Sequence, residues 1–162
     1  MKKTLAAIFC GIAAMLGIAL LSLGQSINSE WHLLMAPFGA SAVLLFAAPL
    51  SPFSQAKNVI GGHVLTATIG LVFAQYIDLG VWTVAVSTGL AITTMVVTNT
   101  VHPPAGANPI LVIQSQHGWA FLVEPVLLGA TGLVVCAKLF ERLKAYFDQR
   151  KNLKSTESHR AC

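Results

Sequence analysis

Thr98-Asn99-Thr100-Val101-His102-Pro103-Pro104-Ala105-Gly106-Ala107-Asn108-Pro109 separates two strongly apolar segments, and its reading decides the fold. Proline lacks an N–H, fixes φ and pushes the residue before it out of the α region. A helix arriving from the N-terminal side therefore stops near Asn99. Proline is tolerated in the first turn of a helix, so a new helix begins at Pro104. The chain is broken here, and its surroundings say what the break is for.

Those surroundings belong in a membrane. Of 162 residues, 55% are hydrophobic and 10% are charged, and the mean hydropathy is +0.71. A soluble domain carries about 25% charged residues. Between Thr4 and Ala137 the formal charges are Glu30, Lys57, Asp78 and Glu124. Apolar runs of about 20 residues predict an all-α integral membrane protein, and the alternation of a β-barrel is absent. The net charge of +4 does not point to nucleic acid, because seven of the ten basic residues follow Ala137 and two more are Lys2 and Lys3. That is the positive-inside distribution. Cys10, Cys136 and Cys162 are scattered, so neither a disulfide nor a metal site is read, and no cofactor is implied. Leu5–Leu23 is longer than a signal-peptide core and ends in no clear cleavage site, so it reads as an uncleaved first span.

Six membrane segments follow in order. Leu5–Leu23 leaves the cytoplasm, Gln25–Glu30 forms an outer loop, and Trp31-His32 suits the interface. A half-helix over about 37–48 ends at Pro49; twelve residues make about 18 Å, less than a hydrocarbon core of about 30 Å. Lys57 lies inside, and Asn58 caps a span over Val59–Ile77. Val81–Thr98 returns inward, a second half-helix runs over about 104–115, and the last span covers about 120–139, with Pro125 in its first turns. On this path both termini are cytoplasmic, in the inner (plasma) membrane of a bacterium, with Trp31, Trp82 and Trp119 at one interface. Residues 1–145 form the membrane domain and 146–162 a basic tail, partly without order, that touches anionic lipid.

The two halves resemble each other. Pro37-Phe38-Gly39-Ala40-Ser41-Ala42-Val43-Leu44-Leu45 aligns with Pro104-Ala105-Gly106-Ala107-Asn108-Pro109-Ile110-Leu111-Val112 as P-x-G-A-x-x-[VI]-L-[LV]. Each half, about 4–78 and 80–145, is then span, half-helix, span. An odd number of segments per half makes a 3+3 inverted repeat with four full spans and two half-helices. The N-termini of the half-helices are expected to meet near the midplane, with Gly39 and Gly106 at the crossing. Helix N-termini attract anions.

At His102-Pro103-Pro104-Ala105-Gly106-Ala107 the chain resembles the HPP family of integral membrane proteins. Pro37–Leu45, Asn58-Val59-Ile60-Gly61-Gly62-His63 and Pro125-Val126-Leu127-Leu128-Gly129-Ala130 strengthen the resemblance, which covers roughly residues 35–143. The family is usually described with four spans, a count from which two added half-helices depart. Some members are associated with nitrite transport, so the resemblance implies a transporter or channel for a small inorganic anion.

The residues expected to bind it are Gly39, Ala40, Ser41, His102, Pro104, Ala105, Gly106, Ala107 and Asn108. His63, Thr66, Thr98 and Asn99 are candidates for the path or for proton coupling. His102 either bonds an anion or carries a proton, or else it ties down the broken backbone, and one residue can serve the site and the backbone together. His63 is an ionisable group within a span, a functional candidate by default. Gly62, Thr66 and Gly70, at i, i+4 and i+8, form a small face suited to close helix packing. The threonines of residues 93–98 either line a path or bond their own helix. No H-E-x-x-H, G-x-S-x-G or buried carboxylate pair is present, so an intramembrane enzyme is disfavoured. The alternative is a non-transporting assembly or sensor protein. At this length a homo-oligomer is expected, to shield the path from lipid.

Overall fold

The computed structural model describes residues 2–27 and 33–160, which are helical or in short connections. Helix α1 is Lys2–Ile27. Helix α2, Pro37–Ala42, continues as a π-helical turn over Val43–Ala47. A 3-10 turn at Pro52–Ser54 leads to α3, Ala56–Tyr76, and α4 is Val81–Val97. A 3-10 segment at Pro103–Ala107 precedes α5, Asn108–Ser115. A π-helical stretch at Leu122–Leu127 precedes α6, Leu128–Arg160.

Three helices among the described residues are long and apolar enough to cross a membrane: Lys3–Ile27, Ala56–Tyr76 and Leu122–Arg150. The fourth expected full span falls short. Helix α4 has 17 residues, about 26 Å at 1.5 Å per residue, against a core of about 30 Å. Its two ends are held by specific bonds. At the start, the Thr83 hydroxyl accepts from the Gly80 N–H and donates to the Asp78 carbonyl. At the end, Asn99 adopts the left-handed conformation, with φ 55°. The Asn99 N–H reaches the Val96 carbonyl at 3.2 Å and the Thr100 N–H the Met95 carbonyl at 2.9 Å. That is a Schellman stop with asparagine in place of the usual glycine.

Other boundaries also move. Helix α1 continues past Gln25, and Glu30, Trp31 and His32 lie outside the described residues. Helix α3 begins at Ala56, one turn before the expected start. Asn58 is therefore not its cap: its side-chain N–H donates to the Pro52 carbonyl at 2.9 Å, tying the 52–54 turn to α3. The second short helix is 3-10, not α, until Ala107. Pro103, Pro104 and Pro109 supply no N–H, so a regular ladder cannot establish itself until that stretch is passed. Before Pro125, Glu124 leaves the helical region (φ −124°, ψ 116°), and the uninterrupted helix follows, carrying the basic tail with it to Arg160.

Helix α3 is the hub, packing against α4, α5, α6 and the 103–107 segment, while α1 packs on α2 and α6. Its buried residues fall in two adjacent rows of spacing four: Asn58, Gly62, Thr66, Gly70 and Val59, His63, Ala67, Leu71. The first row is the bed for the broken segment. A Cβ on Gly62 would meet the Thr100 carbonyl oxygen at 2.9 Å and the His102 Cβ at 3.0 Å, and one on Gly70 would meet the Pro109 Cα at 2.8 Å. The small-residue face is thus a packing surface, as its spacing predicts. The second row joins a core with Phe38, Val112, Val126, Ala130 and Leu133, all fully buried.

Candidate functional site

Where α2, α3 and the broken segment meet, the apolar interior is interrupted by Ser41, His63, Thr66, His102 and Asn108, each with no exposed surface. Polar groups withdrawn from water need hydrogen bonds, and more so at membrane depth. Here they bond mainly to one another. The Ser41 hydroxyl lies 2.9 Å from His63 Nε2 and 2.8 Å from His102 Nε2, and 3.2 Å from the Pro37 carbonyl one turn back. His102 Nδ1 is 2.8 Å from the Phe53 carbonyl. The Asn108 amide nitrogen is 3.0 Å from His63 Nδ1, 3.1 Å from the His63 carbonyl and 3.0 Å from the Thr66 hydroxyl. Thr66 in turn donates to the Gly62 carbonyl at 2.8 Å.

The partners assign the tautomers. A carbonyl oxygen only accepts, so His102 Nδ1 carries the hydrogen that reaches Phe53. In a neutral ring its Nε2 then accepts, and the Ser41 hydroxyl donates to it. On the other side the His63 carbonyl fixes the amide nitrogen of Asn108 as the atom facing His63. That amide donates to His63 Nδ1, which leaves the His63 hydrogen on Nε2, pointing at the Ser41 oxygen. The result is a directional chain: Asn108 to His63, His63 to Ser41, Ser41 to His102, His102 to the Phe53 carbonyl. Every ring nitrogen is satisfied with both imidazoles neutral.

Local structure places each member. Ser41 is one turn into α2. His63 sits on α3 with Phe38 edge-on to its ring at 5.2 Å. His102 precedes two prolines and is therefore extended (φ −136°, ψ 101°), which carries its side chain back over Gly62. Asn108 opens α5. The Phe53 carbonyl is positioned by Ser54, whose hydroxyl reaches the Leu44 and Ala48 carbonyls at 2.9 and 2.8 Å and so ties the 52–54 turn to the end of the half-helix.

The remaining sequence candidates separate from this cluster. Gly39 is exposed and Gly106 half-buried, and a Cβ on either would meet nothing within 4 Å. Helix α2 packs against the 103–107 segment and bonds the residue before it through Ser41 and His102, but no atom comes within 4 Å of a Cβ at either glycine. Ala40 and Ala107 are exposed; Pro104 and Ala105 are buried, with Ala105 against Gly62. Thr98 and Asn99 are exposed. The Thr93, Thr94 and Thr98 hydroxyls bond carbonyls of their own helix at 3.0, 2.8 and 2.7 Å, and Asn99 is the helix stop described above. Sequence reasoning missed the Phe53 carbonyl. A backbone acceptor has no side-chain signature, so nothing in the sequence could have marked it.

Helices long and apolar enough to cross a membrane, packed with short helices around a buried histidine pair, define a polytopic helical membrane protein with a buried polar site. The particular kind is given by comparison: residues 1–151 match the family described as HPP, transmembrane region, and the chain belongs to the HPP family. Two Dictyostelium discoideum proteins, each described as a transmembrane protein, are 32% identical to it over 85% of this chain. The match covers 51% and 47% of those proteins, so the chain spans about half the length of the curated relatives it matches. No solved structure matches the chain.

Proposed function

We propose that this protein passes a small inorganic anion, nitrite by family resemblance, across the membrane at the junction of the two broken segments. The observation that carries the reading is the Ser41–His63–His102–Asn108 cluster. It is a fully buried polar site with two imidazoles and, among the described residues, no carboxylate bonded to either. A cation site needs carboxylate or several carbonyl oxygens. A site of hydroxyl, amide and imidazole hydrogens suits an oxyanion once the chain of bonds opens to admit it.

On this reading the sequence repeat is a 3+3 inverted repeat, with Pro37–Ala47 and 103–115 as its two short members. Small residues on the outward side of both, Gly39, Ala40, Gly106 and Ala107, leave open space on the outer face of the two short members. Those residues face away from the protomer core, which favours a homo-oligomer that encloses them. The termini lie on the cytoplasmic side of a bacterial plasma membrane, and the protein carries no enzymatic step. An inside-negative potential opposes anion uptake by about 2.3 kcal/mol per 100 mV, so uptake needs a coupled proton.

Nitrite flux into proteoliposomes holding the purified protein tests this. Uptake should exceed that of empty liposomes, increase with an inward proton gradient and be abolished by His102→Ala in protein that still folds. Flux equal to that of empty liposomes, with or without the gradient, refutes the proposal.

A further inference from the structure

The Ser41 hydroxyl touches three partners, two of them acceptors, but owns one hydrogen. In the neutral cluster that hydrogen goes to His102 Nε2, and the Pro37 carbonyl at 3.2 Å is left as a second place for it. Suppose a proton taken from water adds to the lone pair of His102 Nε2. His102 then donates through both nitrogens, to the Phe53 carbonyl and to the Ser41 oxygen. Ser41 accepts from both imidazoles and turns its own hydrogen to Pro37. Rotation about one C–O bond leaves every donor in the chain paired. His63 has no such second state. Its Nδ1 faces the Asn108 amide nitrogen at 3.0 Å, and a hydrogen added there would point at another donor.

We propose that His102 is the proton-binding residue of this protein and that Ser41 is the rotor that lets it bind, so that the two-histidine cluster takes up one proton, not two. Two imidazolium rings with centroids 5.1 Å apart would repel. Among the described residues, no other ionisable group bonds to the pair. Helices α2, α4 and α5 and the 52–54 turn contain no Asp, Glu, Lys, Arg or Cys, and α3 contributes Lys57, exposed at its first turn, and Tyr76, exposed at its far end. Glu124, Cys136 and Lys138, on the segments packed against the rest of α3, form no hydrogen bond with either imidazole. A single positive charge buried without a counter-charge is costly, and an anion relieves it. Resting on the anion reading above, this makes the transported unit one proton with one anion, a neutral pair on which the membrane potential does no work.

Nitrogen NMR of histidine-labelled protein in lipid bilayers tests the proton site without any transport measurement. The signals are assigned by His63→Gln and His102→Gln. As the pH falls from about 8 to about 4, a range that brackets the ordinary imidazole value near 6.5, His102 should gain hydrogen on both ring nitrogens. His63 should remain neutral with its hydrogen on Nε2. In Asn108→Asp, a carboxylate replaces the opposing donor, and the added proton should move to His63. A proton on His63 in the wild type, protons on both rings, or no protonation of either overturns the proposal, as does Asn108→Asp leaving the proton on His102. If the NMR result holds and nitrite flux is absent, the transport reading fails and the proton site stands.

Discussion

Replacing Gly62 with alanine asks whether α3 holds the His-Pro-Pro break at backbone contact distance. The new Cβ would stand 2.9 Å from the Thr100 carbonyl oxygen and 3.0 Å from the His102 Cβ. Reaching ordinary contact at 3.4 Å requires the segment to back away by about half an ångström. His63 is the next residue on α3, so the movement opens the His63–Ser41–His102 bridge. Its arms are 2.9 and 2.8 Å, and half an ångström taken up by either one brings that arm to about 3.3–3.4 Å, the limit of a useful N···O bond. Overpacking costs about 1–3 kcal/mol, and a weakened buried hydrogen bond adds about 1 kcal/mol. For a chain of this size the melting temperature in detergent should fall by on the order of 10 °C. Gly89→Ala is the matched control: Gly89 is exposed on α4, and a Cβ there meets nothing within 4 Å. It should be neutral or stabilising by up to about 1 kcal/mol, because alanine is the better helix former. If the two variants melt within about 2 °C of each other, the close packing of α3 on the break is wrong.

Two further perturbations address the elements that frame the cluster. Asn99→Gly should leave the melting temperature unchanged, whereas Asn99→Val should destabilise by about 1–2 kcal/mol, since a β-branched residue strains the left-handed stop; equal melting of the two would remove the Schellman assignment. Ser54→Ala removes the hydroxyl that ties the 52–54 turn to the Leu44 and Ala48 carbonyls, and it should cost about 1–2 kcal/mol. It should also loosen the Phe53 carbonyl from His102, seen as a changed His102 Nδ1 signal in the bilayer spectrum; an unchanged signal would mean that Ser54 does not position that carbonyl.

The helical class, the break after Asn99 and the short helix ending before Pro49 were legible because each rests on local chemistry. Apolar runs must pair their backbone internally in lipid, and proline removes donors wherever it stands. The small face at Gly62, Thr66 and Gly70 was legible for the same reason, as a spacing on one helix. His63, His102, Ser41 and Asn108 could each be singled out as polar residues in apolar surroundings. Their arrangement could not. Ser41 and His102 are 61 residues apart in the chain and meet because α2 packs against the start of the broken segment, which itself lies on α3 beside His63.

Gly39 and Gly106 show the limit from the other side. The aligned P-x-G-A pattern suggested that the two glycines meet, but a glycine's position on a helix does not say which way its face turns. Packing decided that, because Phe38 fills the space over Gly129 and turns Ser41 inward with it. By itself the sequence determined that this chain enters a membrane, where its helices break, and which residues are too polar to lie there alone. Only the tertiary structure decided that a serine hydroxyl stands between two histidines, because hydrogen-bond partners are chosen by distances of a few tenths of an ångström between segments far apart in the chain.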